Sequence, residues 1–241
     1  MTPGVRPADV AWTQVRELLA GPRVAVLPVG AAAKEHGPHL PMNTDYVQAE
    51  ALGARLAQCA PVLVWPTLGY GHYPAFVDYP GSTSAPFHAM RDTVAGVLAG
   101  LERAGAPALL VINTGISTIR PIEAAMDEVS APVALVNVYA SDAHRASRAI
   151  LEQARGGHAD EAETSVMLAL QPERVNMDRA EPWLTPMPPG RWSPTVPTSP
   201  CYCPPGVFGD PTLATAKKGE ALLTAMLDEL QQAVRDVLAR V

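Results

Sequence analysis

The stretch GAAAKEHGPHLPMNTD, residues 30–45, holds a lysine, a glutamate, two histidines and an aspartate directly after the apolar run VAVLPV. His36, His39 and Asp45 offer imidazole and carboxylate donors of the kind that zinc, manganese and iron accept. Asp45 would stand at the start of a helix, where the helix dipole favours its ionised form. The same letters have a second reading, in which Thr44 or Asp45 caps the helix and the histidines are loop residues satisfied by hydrogen bonds. Two further stretches tip the balance toward chemistry. GYGHYPAFVDYPGSTS (69–84) supplies His72 with Tyr70 and Ser82, candidates for holding a substrate. GGHADEAETSVMLAL (156–170) supplies His158, Asp160, Glu161 and Glu163. Four of the six histidines thus fall in glycine- and carboxylate-rich loops or helix starts, a clustering that packing does not explain.

Elements that could position these residues are legible on either side of them. VAVLPV (24–29), PVLVWP (61–66), PALLVIN (107–113) and PVALVNV (132–138) have the length and branched-aliphatic content of strands buried on both faces. YVQAEALGARLAQ, PFHAMRDTVAGVLAGLERAG and IRPIEAAMDEVS carry apolar residues at helical spacing between them. Strand and helix in alternation predict right-handed βαβ units, with helices on both faces of a mainly parallel sheet. In such a sheet reactive groups collect beyond the carboxyl ends of the strands, where the 30–45 stretch lies.

Asp210 as N-cap and Pro211 at the first helical position predict a C-terminal helix over about 211–240, with an apolar stripe from Leu222 to Leu238. Residues 182–211 hold ten prolines, which predicts a long ordered loop, a lid or a subunit contact within a single domain spanning 1–241.

Composition removes several function classes. A net charge of −6 leaves no basic surplus to neutralise phosphates, so neither nucleic acid nor an acidic membrane surface is expected as a partner, and a small molecule is. No run reaches the ~18 apolar residues of a membrane helix, and MTPGVRPADVAW lacks the basic run and apolar core of a targeting segment. Three cysteines cannot all pair, which points to a reducing cytoplasm. Cys201 and Cys203 could form a metal or redox pair, but they lack the partner set of a zinc site and read as loop residues. There is no Gly-x-Ser-x-Gly elbow, and the glycine-rich dinucleotide fingerprint is absent after the first strand.

Taken together, GAAAKEHGPHLPMNTD, YPGSTS, HADEAETS and GVFGDPTLATAKKGE resemble the creatininase (creatinine amidohydrolase) family over about residues 24–225, HGPHLP followed by TD being its most specific part. The resemblance implies a three-layer α/β/α sandwich, commonly a homohexamer, with a binuclear metal centre that hydrolyses a cyclic amide or related C–N bond. It makes His36, Asp45 and Glu163 the metal ligands and places His158 near the substrate. His72 falls near a substrate-contact position.

The chain departs from the pattern in two places. Lys34 stands where the family has a metal-binding glutamate, and VINTGIS (111–117) puts Gly115 where the family has a histidine. Two ligands of one metal are therefore missing together, and one or two divalent ions remain open. Either the Lys34 ammonium takes the vacated region beside Asp45, or Glu35 and His72 reach in to rebuild the shell. Glu35, Glu161 and His158 are the candidate proton carriers. The leading expectation is a metal-dependent amidohydrolase; the alternatives are a non-catalytic binding or regulatory member of the fold, and a metal enzyme opening a C–C or C–O bond.

Overall fold

A computed structural model describes residues 4–241; the first three residues of the run read for a targeting segment lie outside it. In chain order the helices are α1 (Trp12–Leu19), α2 (Thr44–Cys59), α3 (Phe87–Arg103), α4 (Ile119–Met126), α5 (Asp142–Ser147), α6 (Glu161–Leu170) and α7 (Ala216–Leu238). The four apolar runs are strands β1 (Val24–Val29), β2 (Val62–Val64), β3 (Ala108–Asn113) and β4 (Val133–Asn137). They pair in parallel in the order β2-β1-β3-β4, with Val24 opposite both Val62 and Ala108, and Leu109 opposite Val133.

Every residue of β1 and β3 is buried, because helices cover both faces of the sheet. Val24 and Val26, with Leu110 and Ile112, pack against Leu52 and Leu56 of α2, Val166 of α6 and Leu222 and Leu230 of α7. The alternate residues Ala25, Leu27, Leu109 and Val111 meet Leu19 of α1, Val94 and Leu98 of α3 and Ile122 of α4. The strand period of two thus feeds two separate cores, and the architecture is the three-layer α/β/α sandwich the alternation predicts. Truncating a fully buried leucine in such a layer costs about 2–5 kcal/mol, which fixes the sheet firmly beneath the loops it carries.

Two strands depart from what their composition suggests. The first three residues of β4 are only half-buried, because β4 is an edge of the sheet. Pro28 sits inside a central strand, where a missing N–H ordinarily breaks a ladder. Here β2 ends at Val64, opposite Val26, and beyond it the Pro28 carbonyl accepts from Leu68 N at 2.9 Å. No β2 carbonyl is left waiting for the N–H that proline lacks.

The last helix starts later than its sequence signals indicate. Asp210 accepts from Thr212 N at 3.0 Å and caps a short 3-10 turn, Pro211–Leu213, after which Ala214 is extended. Thr215 accepts from Lys218 N at 3.2 Å and caps α7 itself. A Ser/Thr/Asp cap stabilises a helix start by ~1 kcal/mol, so two such residues five apart divide the segment into two helical pieces.

The proline-rich stretch folds back on the body of the chain through isolated bridges, Trp183 with Gly209, Ser193 with Tyr202 and His158 with Phe208. Cys201 and Cys203 are free and buried in it, their thiols donating to the carbonyls of Pro188 and Val207.

Candidate metal centre

The loops at the carboxyl ends of all four strands meet around one pocket. The loop after β1 brings Lys34, and α2 begins with Thr44 and Asp45. The segment after β2 brings Tyr70, Tyr73 and Phe76; β3 is followed by Thr114–Thr118 and β4 by Tyr139. His158 and Glu163 come from the entry to α6. Lys34, Glu35, His36, Asp45, His158 and Glu163 are all buried.

Both histidines have one ring nitrogen tied down. His36 Nδ1 lies 3.0 Å from the Lys34 carbonyl, which can only accept, so Nδ1 carries the hydrogen. In the neutral ring the lone pair on Nε2 then faces Asp45 Oδ1 at 3.1 Å, two acceptors turned toward one another. A proton or a cation between them is what stabilises that arrangement. His158 Nε2 is 2.7 Å from Glu35 Oε1, which turns Nδ1 toward Glu163 Oε2 at 3.9 Å. One donor atom from each of His36, His158 and Glu163 lies within 4.8 Å of the others. Histidines that bind metals characteristically give their other nitrogen to a carboxylate or a backbone carbonyl, and each of these two does one of the two.

The carboxylates are held as firmly. Glu163 Oε2 accepts from Ala159 N at 2.6 Å. Ala159 reaches that position with φ +47, a left-handed conformation that costs a non-glycine residue ~1 kcal/mol and is retained here beside the site. Asp160 caps α6 by accepting from Ala162 N and Glu163 N, which fixes the first turn. Burial pushes the Glu163 carboxyl above its usual range, against the attraction of His158 and His36.

Glu35 Oε2 accepts from Gly37 N at 2.9 Å, and its own backbone N–H donates to Ser82 Oγ at 2.9 Å. Gly206, with φ +66, lies against that carboxylate so closely that a Cβ there would sit 2.1 Å from Oε2. Lys34 Nζ is 2.7 Å from Asp45 Oδ2 and 5.1 Å from the centre of the Phe76 ring. Burial opposes its charge, yet Asp45, Glu163 and Glu35 together raise its pKa. Burial likewise opposes ionisation of Asp45, but Lys34 and His36 hold its carboxyl well below the usual range.

Other residues singled out by sequence lie elsewhere. Tyr70 is at the pocket rim and 66% exposed. His72 does not line the pocket; its Nδ1 donates to the Ala85 carbonyl at 3.0 Å. Ser82 acts on Glu35 from behind. His39 braces α6 through Thr164 Oγ1 at 2.8 Å, and burial lowers its pKa to about 4. Glu161 points away from the pocket into a closed cluster, accepting from Glu152 N, Gln153 N and Lys218 Nζ. Sequence reasoning passed over Thr118 and Tyr139 in the pocket wall and Phe76 and Trp192 against His158, at ring-centre distances of 4.4 and 5.5 Å. The rule that sites lie beyond strand ends could have flagged Thr118 and Tyr139. Nothing local marks Trp192.

The chain is similar to known proteins of one family. The family model for creatininase (creatinine amidohydrolase) matches residues 8–234. The creatinine amidohydrolase of Pseudomonas putida is 28% identical over 260 residues, covering 98% of each chain. The 3-dehydro-scyllo-inosose hydrolase of Thermotoga maritima is 28% identical over 269 residues, covering 98% of this chain and 85% of its own. Among solved structures, a mutant creatininase described as of Zn–Zn type superposes with a TM-score of 0.83 at 26% identity, over 95% of this chain and 96% of that one. One described as creatininase Mn gives 0.82 at 25% identity, over 97% and 98%.

Proposed function

The chain belongs to the creatininase family, whose matched members are named as hydrolases, and from that premise we propose that it is a metal-dependent amidohydrolase acting on a small cyclic amide or related compound. The observation that carries the proposal is the convergence of His36, His158 and Glu163, whose donor atoms lie within 4.8 Å with both outer ring nitrogens anchored. Two imidazoles and a carboxylate, with room on the pocket side, fit zinc, manganese or iron. His158 joins the set that the resemblance gave, while Asp45 Oδ1 faces the same His36 nitrogen at 3.1 Å.

A divalent ion bound there supplies a polarised scissile carbonyl and a water whose pKa is lowered toward ~7. The protein's own groups orient and exclude. Glu35 acts through His158, holding the ring in one tautomer, and the Lys34 carbonyl does the same for His36. Phe76, Trp192 and Tyr73 make an apolar wall that limits water, while Thr118, Tyr139 and the exposed Tyr70 frame the entrance a substrate would use. Glu161 is excluded as proton carrier by its closed partner set, and His72 and Ser82 serve as supports rather than substrate contacts.

The remaining parts of the reading are a small-molecule substrate, a homo-oligomer that is a hexamer by resemblance, and a cytoplasmic setting. Among the described residues no helix is long and apolar enough to cross a membrane.

The test is metal analysis of protein reconstituted with zinc or manganese, followed by mass spectrometry of creatinine, other cyclic amides, cyclic ketones and lactones incubated with it. Bound metal and addition of one water to a substrate are expected. Less than about a tenth of an equivalent of metal would overturn the reading in favour of a non-catalytic member of the fold. Water added across a C–C or C–O bond, with cyclic amides untouched, would replace amide chemistry with the other ring opening.

A further inference from the structure

We propose that the Lys34 ammonium is a built-in second cation, so that the site holds one divalent ion per chain rather than two. The inference rests on the metal-dependent reading above and concerns how the positive charge of that site is divided. Asp45 is shared between two partners: Oδ1 faces His36 Nε2 at 3.1 Å, and Oδ2 meets Lys34 Nζ at 2.7 Å. The first oxygen looks toward the metal-capable group and the second is already neutralised by a fixed charge.

Donors for another ion are lacking on the lysine side. Gly115 contributes no side chain, and its carbonyl accepts from Asn113 Nδ2, Asn137 Nδ2 and Thr118 Oγ1, each at 2.8 Å. The Thr114 hydroxyl is directed to the carbonyls of Val29 and Asp45. Glu35 cannot swing across, because His158 and Gly37 N hold its two oxygens while Gly206 closes the space behind. His72 is turned to the Ala85 carbonyl, outside the pocket walls. Among the described residues, His36–His158–Glu163 is the one group of three or more His, Cys, Asp or Glu donors close enough together to hold a metal.

Charge balance gives the same count. Glu35, Asp45 and Glu163 carry three negative charges against one positive charge on Lys34, and one divalent ion neutralises the remainder. A second would leave an uncompensated excess of two positive charges in a buried site, which desolvation opposes. Among the described residues Lys34 Nζ pairs with Asp45, and the Phe76 ring beneath adds a cation–π contact.

Metal-free full-length protein titrated with Mn2+ and Zn2+, with calorimetry and elemental analysis as readouts, tests the inference without a substrate. One ion per chain is expected for the natural protein, and about two for Lys34→Glu, which exchanges the ammonium for a ligand. Lys34→Gln removes charge without adding a metal-binding carboxylate, so it should still bind one ion, about tenfold more tightly. Two ions on the natural protein, one on a folded Lys34→Glu, or unchanged affinity in Lys34→Gln would overturn the inference. No ion on the natural protein would instead overturn the metal-dependent reading itself.

Discussion

Glu161 and Glu163 stand two residues apart at the start of α6, are both buried, and have opposite surroundings. Glu161 is 0% exposed and fully paired: two backbone N–H groups and the Lys218 ammonium satisfy its oxygens, and Lys218 also reaches Glu152 and the Leu213 carbonyl. Glu163 receives a single backbone N–H and faces a pocket with two histidines beside it. Completing every hydrogen bond makes a carboxylate a structural clasp; leaving lone pairs directed at a cavity makes it available for binding. Burial alone distinguishes nothing here, and the acceptor count does.

Three measurements would break or sharpen that contrast. The largest effect is expected from Glu163→Gln, which removes a donor from the convergence point: kcat/KM should fall at least about a hundredfold, or ~3 kcal/mol in the barrier, with loss of retained metal and little change in melting temperature. An active, metal-loaded Glu163→Gln would show that the two carboxylates are alike after all.

Lys218→Met should do the reverse. Lys218 is partly exposed, but its loss leaves the buried Glu161 without its counter-charge, which costs about 1–3 kcal/mol and should show as lower stability in chemical denaturation. Metal bound per folded chain should stay unchanged.

The smallest effect concerns His39, which touches the same helix at Thr164. Its folded pKa of about 4 lies below the usual 6.5, so between those values the unfolded chain binds a proton that the folded chain does not. The stability involved is present above pH ~6.5 and lost as pH falls toward 4, by at most about 3 kcal/mol. Denaturation of metal-free protein across that range should show the decline, and His39→Gln should flatten it.

The contrast also explains what was legible in the sequence. Strand and helix runs were readable because each is a local pattern: β1, β3, β4, α2 and α3 coincide closely with their apolar periods, while β2 takes three residues of its run of six and α4 ends at Met126, four residues early. The HGPHLP and ETS runs pointed to His36, Asp45 and Glu163 through their resemblance to the creatininase family. Nothing in DEAE tells one glutamate from the next, since the difference is made by Lys218 on α7, 57 positions beyond Glu161. The pairing of Glu35 with His158 spans 123 positions, and Ser82 reaches Glu35 across 47. α7 was misplaced at its start for a local reason: two capping residues compete over six positions, and only backbone geometry decides which begins the longer helix.

Trp192 gives the proline-rich segment a further use. Its indole meets the His158 ring edge-to-face, 5.5 Å between centres, and packs on Phe76 at 5.2 Å. Indole emission responds to the charge of a neighbouring imidazole, so a cation taken up at His158 is expected to change Trp192 emission. Titration of metal-free protein with Zn2+ under a fluorimeter checks this, and Trp192→Phe should abolish the change.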